Sequence, residues 1–300
     1  MTKLEAWVRA FRLRTLPLSL SSVLLGSLLA FDKGKFSLPI LLGALVTTLF
    51  LQILSNLAND YGDSASGVDN DERNGPRRAV QSGLISASEM RNAMLLCAAL
   101  ALASGIWLLF KASAHMEVSA VLGFFVLGVV AIAAAIKYTV GKNPYGYAGL
   151  GDLAVFVFFG VAGVAGTFYL HTSSFEWPEL LPAIAIGLLA TGVLNLNNMR
   201  DIENDRNHGK NSLAVMLGIN RARVYHTALI ILAIAAAVFY SVLNFRSPYQ
   251  FIYLVTLPIL LQNIGIVWTT SRASDLDAEL KKLAFATLLF ALTMGVGLIY

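Results

Sequence analysis

The sequence predicts an all-α integral membrane protein with nine transmembrane helices in a single bundle. Three observations predict it. Of the 300 residues, 57% are hydrophobic and only 13% charged, about half the charged share of an ordinary soluble domain. Nine apolar runs of roughly 20 residues, the length that crosses a bilayer's hydrocarbon core, divide the chain. Basic residues gather at alternate connections between those runs, the pattern that marks the cytoplasmic side of a multi-pass protein.

The runs lie near 15–31, 38–59, 91–111, 117–137, 150–170, 179–199, 222–243, 249–269 and 281–299. Lys3, Arg9, Arg12 and Arg14 precede the first run, but no small-residue cleavage site follows it, so it reads as a retained span. The second opens on Ser37-Leu38-Pro39, a cap and first turn. Pro17 and Pro258 fall within runs, where a membrane helix tolerates proline. The fifth is entered through Gly146 to Gly151, a tight turn rather than a nucleotide loop, because no strand precedes it. Of the 22 Lys and Arg residues, eighteen fall with the N-terminus and the even-to-odd connections, and four on the other side. The N-terminus is therefore expected in the cytoplasm and the C-terminus outside. No low-complexity linker interrupts the chain, so residues 1–300 read as one membrane domain.

Composition excludes other classes. The formal charge of +4 comes from basic residues that interrupt apolar runs and form no continuous stripe, which argues against nucleic acid. The single cysteine, Cys97, excludes an intrachain disulfide and any multi-cysteine metal site. An ion-coupled transporter would carry ionisable groups near the midplane, and these runs are almost free of them.

The charged chemistry sits in the connections at about 60–90 and 200–221. Four spans separate them, an even number, so both emerge on the cytoplasmic face and can meet. The first segment reads Asn56-Leu57-Ala58-Asn59-Asp60-Tyr61-Gly62-Asp63, then Gly67-Val68-Asp69, then Arg73-Asn74-Gly75-Pro76-Arg77-Arg78. If the helix continues to Asp63, Asn56 and Asp60, and Asn59 and Asp63, are i,i+4 pairs on one face. The second segment reads Asn197 to Asp205, with Asp201 and Asp205 again four apart, then Gly209-Lys210. Carboxylate and amide oxygens without His or Cys form the ligand set of Mg²⁺. Arg77, Arg78 and Lys210 could hold the phosphate oxygens that a metal leaves free. The combination asks for a diphosphate at the membrane interface with a polyisoprenoid tail among the helices. Tyr138 and Tyr61 offer ring faces to a cation or serve as interfacial belt residues. Asp152 touches substrate or caps the fifth span, and His208 reads as a solvated loop histidine.

On these motifs the chain resembles the UbiA superfamily of intramembrane prenyltransferases. The superfamily's Asn-Asp-x-x-Asp with a further Asp is matched by Asn59, Asp60, Asp63 and Asp69, and its Asp-x-x-x-Asp by Asp201 and Asp205. Gly67-x-Asp69 with Gly75-Pro76-Arg77-Arg78 resembles the naphthoate branch rather than the ubiquinone branch. So do Arg12-x-Arg14-Thr15-Leu16-Pro17, Tyr138-Thr139, Pro144-Tyr145-Gly146-Tyr147, Gly149-Leu150-Gly151-Asp152 and Gly209-Lys210; Ser212 departs from the usual Thr but keeps the hydroxyl. The resemblance implies a nine-helix bundle in a bacterial plasma membrane, with two Mg²⁺ ions on Asn59, Asp63, Asp69, Asp201 and Asp205. It implies transfer from a polyprenyl diphosphate to 1,4-dihydroxy-2-naphthoate with loss of CO₂; 4-hydroxybenzoate is the alternative acceptor. The expected catalytic residues are Asp63, Asp69, Asp201, Asp205 and Tyr138. The expected substrate-binding residues are Asn56, Asp60, Arg77, Arg78, Lys210, Asp152 and Arg14.

Overall fold

A computed structural model describes residues 2–69 and 78–300; the expected site residue Arg77, with its neighbours Arg73 to Pro76, and the Arg14 side chain lie outside the described residues. A short helix α1 (Lys3–Ala10) precedes α2 (Leu16–Asp32), α3 (Leu38–Ala65), α4 (Ala87–Ala112), α5 (Val118–Lys137) and α6 (Gly151–Thr172). Then come α7 (Leu180–Arg200), the short α8 (Ile202–Asn207) and α9 (Leu213–Leu217), α10 (Ile219–Leu243), α11 (Leu257–Thr269) and α12 (Leu276–Ile299). No strand occurs among the described residues.

Eight segments are long and apolar enough to cross a membrane, α11 only together with the 3₁₀ turns Pro248–Thr256 that run straight into it, and α2, with 17 residues, is a shorter apolar helix at the low end of what spans hydrocarbon. The apolar runs and the helices coincide closely, with one useful excess. Helix α3 continues beyond its apolar part to Ala65, carrying Asn59, Asp60 and Asp63 on regular helical geometry as the i,i+4 argument requires. The prolines lie where expected: Pro17 occupies the first turn of α2, where the missing N–H has no helical partner to lose, and Pro258 stands inside the span Pro248–Thr269, at its change from 3₁₀ to α geometry. Ser37 makes no side-chain cap. Its N–H instead donates to Nδ1 of His171, 3.1 Å away.

Helix α7 is the most buried span and packs between α6, α10 and α12, while α12 also covers α2. Close approach to α6 depends on glycine. A Cβ on Gly160 would lie 2.6 Å from the Ala183 carbonyl oxygen, and one on Gly26 of α2 2.4 Å from that of Val164. Between these contacts α6 widens into i→i+5 geometry over Phe156–Gly166, a local form often found at functional sites. Helix α5 packs on α3 and α4 and has no buried residue. It walls a chamber without belonging to the core.

The connections segregate to two ends. Arg246–Asp32 (2.7 Å) and Lys33–Glu179 (3.4 Å) join the loops after α10 and α2 and the turn before α7 at one end. At the other, the Asn204 amide donates to the Val68 carbonyl (2.8 Å) and the Asn211 N–H to that of Tyr147 (3.1 Å). The connections carrying the two Asp motifs therefore do meet, with the α5–α6 turn beside them.

Candidate active site

A chamber of about 360 Å³ lies among α2, α3, α4, α5, α6 and α7. Its polar end holds Arg12, Asn56, Asn59, Tyr138, Asn197 and Lys210, and its body is walled by residues such as Ala44, Leu108, Gly128, Phe159 and Leu170.

The first motif occupies the last turns of α3. Asp60 and Asp63 are 1% and 2% exposed. Asp60 Oδ2 accepts from the Ala79 N–H (3.1 Å), while its buried Oδ1 has no partner among the described residues. Asp63 Oδ1 accepts from the Tyr147 hydroxyl at 2.7 Å. Asp69 is turned back by its N–H, which donates to the Asp63 carbonyl (3.1 Å), and its Oδ1 accepts from Arg78 Nε at 3.4 Å. Arg78 and Arg12 both donate to Asn59 Oδ1. Asn56 acts one step back: its amide donates to the Phe11 carbonyl (2.9 Å) and the Thr15 hydroxyl (3.2 Å), fixing the segment that carries Arg12. Arg12 holds a left-handed backbone, φ 48° and ψ 56°, which costs about 1–2 kcal/mol for a residue with a Cβ. Strain kept at such a position is a mark of a functional site.

The second motif is built by a helix ending. Gly209, at φ +71°, terminates α8; its N–H donates to the Arg206 carbonyl (3.3 Å) and the Lys210 N–H to that of Asp205 (2.8 Å). That paired closure is the Schellman motif, and it folds Lys210 back over Asp205. The ammonium lies 3.6 Å from Asp205 Oδ1 and 3.8 Å from Asp63 Oδ2, and 5.6 Å from the Tyr147 ring centre. One buried cation thus bridges the two motifs. Burial opposes its charge, but Asp63 and Asp205 outweigh that and push its pKa up to about 12. Burial and the adjacent Asp63 likewise raise Tyr147, keeping its hydroxyl a donor.

Both oxygens of Asp201 accept from Arg200, Nε to Oδ1 at 2.9 Å and Nη2 to Oδ2 at 2.7 Å. Arg200, 1% exposed, also donates to Asp277 Oδ1 (2.7 Å) and Asn197 Oδ1 (2.9 Å). A guanidinium buried at a helix end needs carboxylate partners, and Asp201 and Asp277 supply them at 2.7 Å each. The motifs face each other through Asp63 and Asp205, and Asp201 joins α7 to α12 through Arg200.

Among the described residues no group of three or more His, Cys, Asp or Glu side chains stands ready to hold a metal; Lys210 and Arg78 sit among the carboxylates. The donor set nevertheless fits a hard cation. Asp60, Asp63, Asp69 and Asp205 are buried carboxylates from two segments, and the unmet Asp60 Oδ1 shows acceptor capacity the protein leaves unused.

The α5–α6 turn is the tight one expected, with Gly149 at φ 76°. Tyr138 stands at the chamber wall, its ring edge-on to Tyr145 at 5.4 Å. Asp152 lies in the first turn of α6 without serving as its N-cap, and the His208 ring bonds the Asn204 carbonyl of its own helix (2.9 Å). Sequence reasoning missed Arg12 and Tyr147 as site groups, although both belong to motifs it singled out. Asp277 carried no local signal at all.

The sequence pattern of the UbiA prenyltransferase family matches residues 19–296. The chain is 42% identical over 299 residues to the 1,4-dihydroxy-2-naphthoate octaprenyltransferase of Haemophilus influenzae, covering 99% of this chain and 96% of that protein. It is 35% identical over 300 residues to the enzyme of the same name from Mycobacterium tuberculosis, covering 100% and 99%. Among solved structures, a UbiA homologue from Aeropyrum pernix K1 in its apo form has a TM-score of 0.68 at 18% identity over 95% and 96% of the two chains. A homologue from Archaeoglobus fulgidus bound to DMAPP and Mg²⁺ has a TM-score of 0.64 at 19% identity over 96% and 98%.

Proposed function

The chain belongs to the UbiA prenyltransferase family and is a multi-pass membrane prenyltransferase, and from that premise we propose its substrates, metal and orientation. It transfers a polyprenyl group from polyprenyl diphosphate to 1,4-dihydroxy-2-naphthoate with loss of CO₂, giving a demethylmenaquinol. The observation that carries this reading is the convergence of Asp63 and Asp205 on Lys210 at the polar mouth of an apolar chamber. A diphosphate needs cations and metal-holding oxygens there, and a prenyl tail needs the chamber, where each buried CH₂ contributes roughly 0.8 kcal/mol. The acceptor follows from the relatives in Haemophilus and Mycobacterium and from the Gly67-x-Asp69 and Gly75-Pro76-Arg77-Arg78 spacing.

Asp60, Asp63, Asp69 and Asp205 would hold the Mg²⁺, with Asn59 beside them, and we infer two ions. Bound there, the metal supplies charge neutralisation for the departing diphosphate. The protein's own groups do the rest. Lys210, Arg78 and Arg12 bind diphosphate oxygens and orient them toward the chamber; Arg77 belongs with them by sequence. Tyr138 presents a ring face to the developing allylic cation, and Asn56 holds Arg12 in place. The apolar walls exclude water that would otherwise capture the cation. Asp201 acts through Arg200, positioning the second motif.

Residues 1–300 act as one catalytic domain of nine spans, α2 included, in a bacterial inner membrane, with the Asp motifs and N-terminus cytoplasmic and the C-terminus outside. The charge asymmetry supports that orientation. The test is purified protein with Mg²⁺, a polyprenyl diphosphate and carboxyl-labelled naphthoate. One labelled CO₂ per prenylated product is expected. A product that keeps its carboxylate refutes decarboxylative transfer, and faster turnover of 4-hydroxybenzoate moves the chain to the ubiquinone branch.

A further inference from the structure

The chamber that suits a prenyl tail is not apolar along its whole length. Gln52 and Ser55 of α3 line it together with Asn59, and the three share one face of the helix. At 1.5 Å of rise per residue, Ser55 stands about 6 Å and Gln52 about 10 Å deeper than Asn59. The Gln52 amide is oriented by its neighbours. The Thr15 hydroxyl donates its one hydrogen to the Arg12 carbonyl (2.9 Å), so towards the amides of Gln52 (3.3 Å) and Asn56 (3.2 Å) it can only accept. Gln52 Nε2 also points its second hydrogen at Asn56 Oδ1, 3.5 Å away. The nitrogen is thereby committed, and Oε1 is the end left over. Among the described residues that oxygen accepts no hydrogen bond, and the Ser55 hydroxyl has no partner either. A polyisoprenoid tail offers nothing to an amide oxygen or a hydroxyl, and the diphosphate is held further out, by Lys210, Arg78 and Arg12. The aromatic acceptor must lie against the first prenyl carbon, one step inward from the diphosphate, which is the depth of these two side chains.

We propose that Gln52 and Ser55 form the subsite that recognises a ring hydroxyl of the aromatic acceptor. The phenolic O–H donates to Gln52 Oε1, and the Ser55 hydroxyl donates to the same phenolic oxygen. The assignment rests on the naphthoate reading above. Side chains at i and i+3 on a helix are neighbours, with Cβ atoms about 5–6 Å apart, so one oxygen can meet both. The pair fixes the rotation of the ring in the chamber and so which ring carbon faces the prenyl carbon, a positional contribution to the transfer. An amide oxygen that receives the phenolic proton also raises electron density on the phenolic oxygen and, through it, on the ring that captures the allylic cation. An acceptor without a hydroxyl at that place leaves Gln52 Oε1 and Ser55 unmet, a discrimination that an apolar wall cannot make. The two residues therefore set specificity, while the groups around Lys210 hold the diphosphate.

The experiment compares wild type, Gln52→Met and Ser55→Ala with 1,4-dihydroxy-2-naphthoate and with 1-hydroxy- and 4-hydroxy-2-naphthoate, the two monohydroxy compounds read as competitive inhibitors. Each variant should weaken the dihydroxy acceptor about 2- to 13-fold, the factor of one neutral hydrogen bond. Each should weaken one monohydroxy compound by the same factor and bind the other, which lacks the recognised hydroxyl, as wild type does. Ser55→Ala leaves the bonds to Thr15 and Asn56 intact, so its calorimetric affinity for polyprenyl diphosphate with Mg²⁺ should match wild type. Equal losses with both monohydroxy compounds, no loss with the dihydroxy acceptor, or weakened diphosphate binding by Ser55→Ala would each overturn the subsite. Wild-type protein that makes no product from the dihydroxy acceptor would overturn the naphthoate reading and the subsite with it, a result the wild type alone delivers.

Discussion

Replacing Lys210 with Met keeps the apolar stem and deletes a buried charge that joins the two Asp motifs. The ammonium lies 3.6 Å and 3.8 Å from Asp205 and Asp63. At an effective dielectric of about 20, each of those pairs is worth about 4 kcal/mol before desolvation is subtracted. Two consequences follow. Without ligand, the variant takes from Asp63 and Asp205 the buried cation that faces both, and removing one partner of a buried ion pair typically costs about 3–5 kcal/mol, so its melting temperature should fall. Added Mg²⁺ should then raise that temperature more in the variant than in wild type, because the ion no longer competes with an ammonium for the same oxygens. With ligand, the loss of a charge-assisted contact of about 1.5–3 kcal/mol should weaken polyprenyl diphosphate about 10- to 150-fold and leave the Michaelis constant for the acceptor alone. Melting curves with and without Mg²⁺, together with diphosphate titrations, read both. An unchanged Mg²⁺ response, or a defect confined to the acceptor, would refute the bridging role. The pH dependence has a definite sign. A pKa raised from 10.5 to about 12 means the lysine's contribution is complete below its ordinary pKa and disappears only as pH rises through about 12. Wild-type diphosphate affinity limited by Lys210 should therefore be flat from neutrality to about pH 10.

Asp201→Asn and Asp205→Asn should fail differently. The first strips a bidentate partner from buried Arg200 and should destabilise the protein by about 3–5 kcal/mol, seen in melting; the second should abolish Mg²⁺-dependent turnover in a folded protein. An Asp201→Asn variant as stable as wild type but blind to Mg²⁺ would return Asp201 to the metal. Single cysteines at Ser82 and Asn207, in a Cys97→Ser background, should both label from the cytoplasmic side, and one at Ser174 only from outside; labelling Ser82 and Asn207 from opposite faces would separate the motifs. Gly128 lines the chamber, and a Cβ there would meet nothing within 4 Å, so Gly128→Phe should depress transfer from long polyprenyl diphosphates at least about tenfold more than from dimethylallyl diphosphate. Equal loss with both donors would place Gly128 away from the tail.

What the sequence made legible were the features that repeat or that sit close together along the chain. Apolar run length located every long helix, and i,i+4 spacing placed Asn59 and Asp63 on one face of α3 because backbone geometry alone decides it. Parity of the spans brought the two acidic connections together, and the Asn204–Val68 and Lys210–Asp63 contacts realise that meeting. What stayed hidden depends on partners distant in sequence. Asp201 and Asp205 look equivalent in Asp-x-x-x-Asp, but only one lies beside Arg200, whose second carboxylate, Asp277, enters from α12. A buried guanidinium takes its partners from distant segments, and no local pattern reveals how many it will need. Arg12 was hidden for a different reason. Arg12 carries no mark in a charge count, and it takes its left-handed turn, fixed by Asn56 through Phe11 and Thr15, to bring its guanidinium onto Asn59. Charge counts locate a site, therefore, while the choice of which charges face the ligand is made by the few backbone turns that the helices force on their connections.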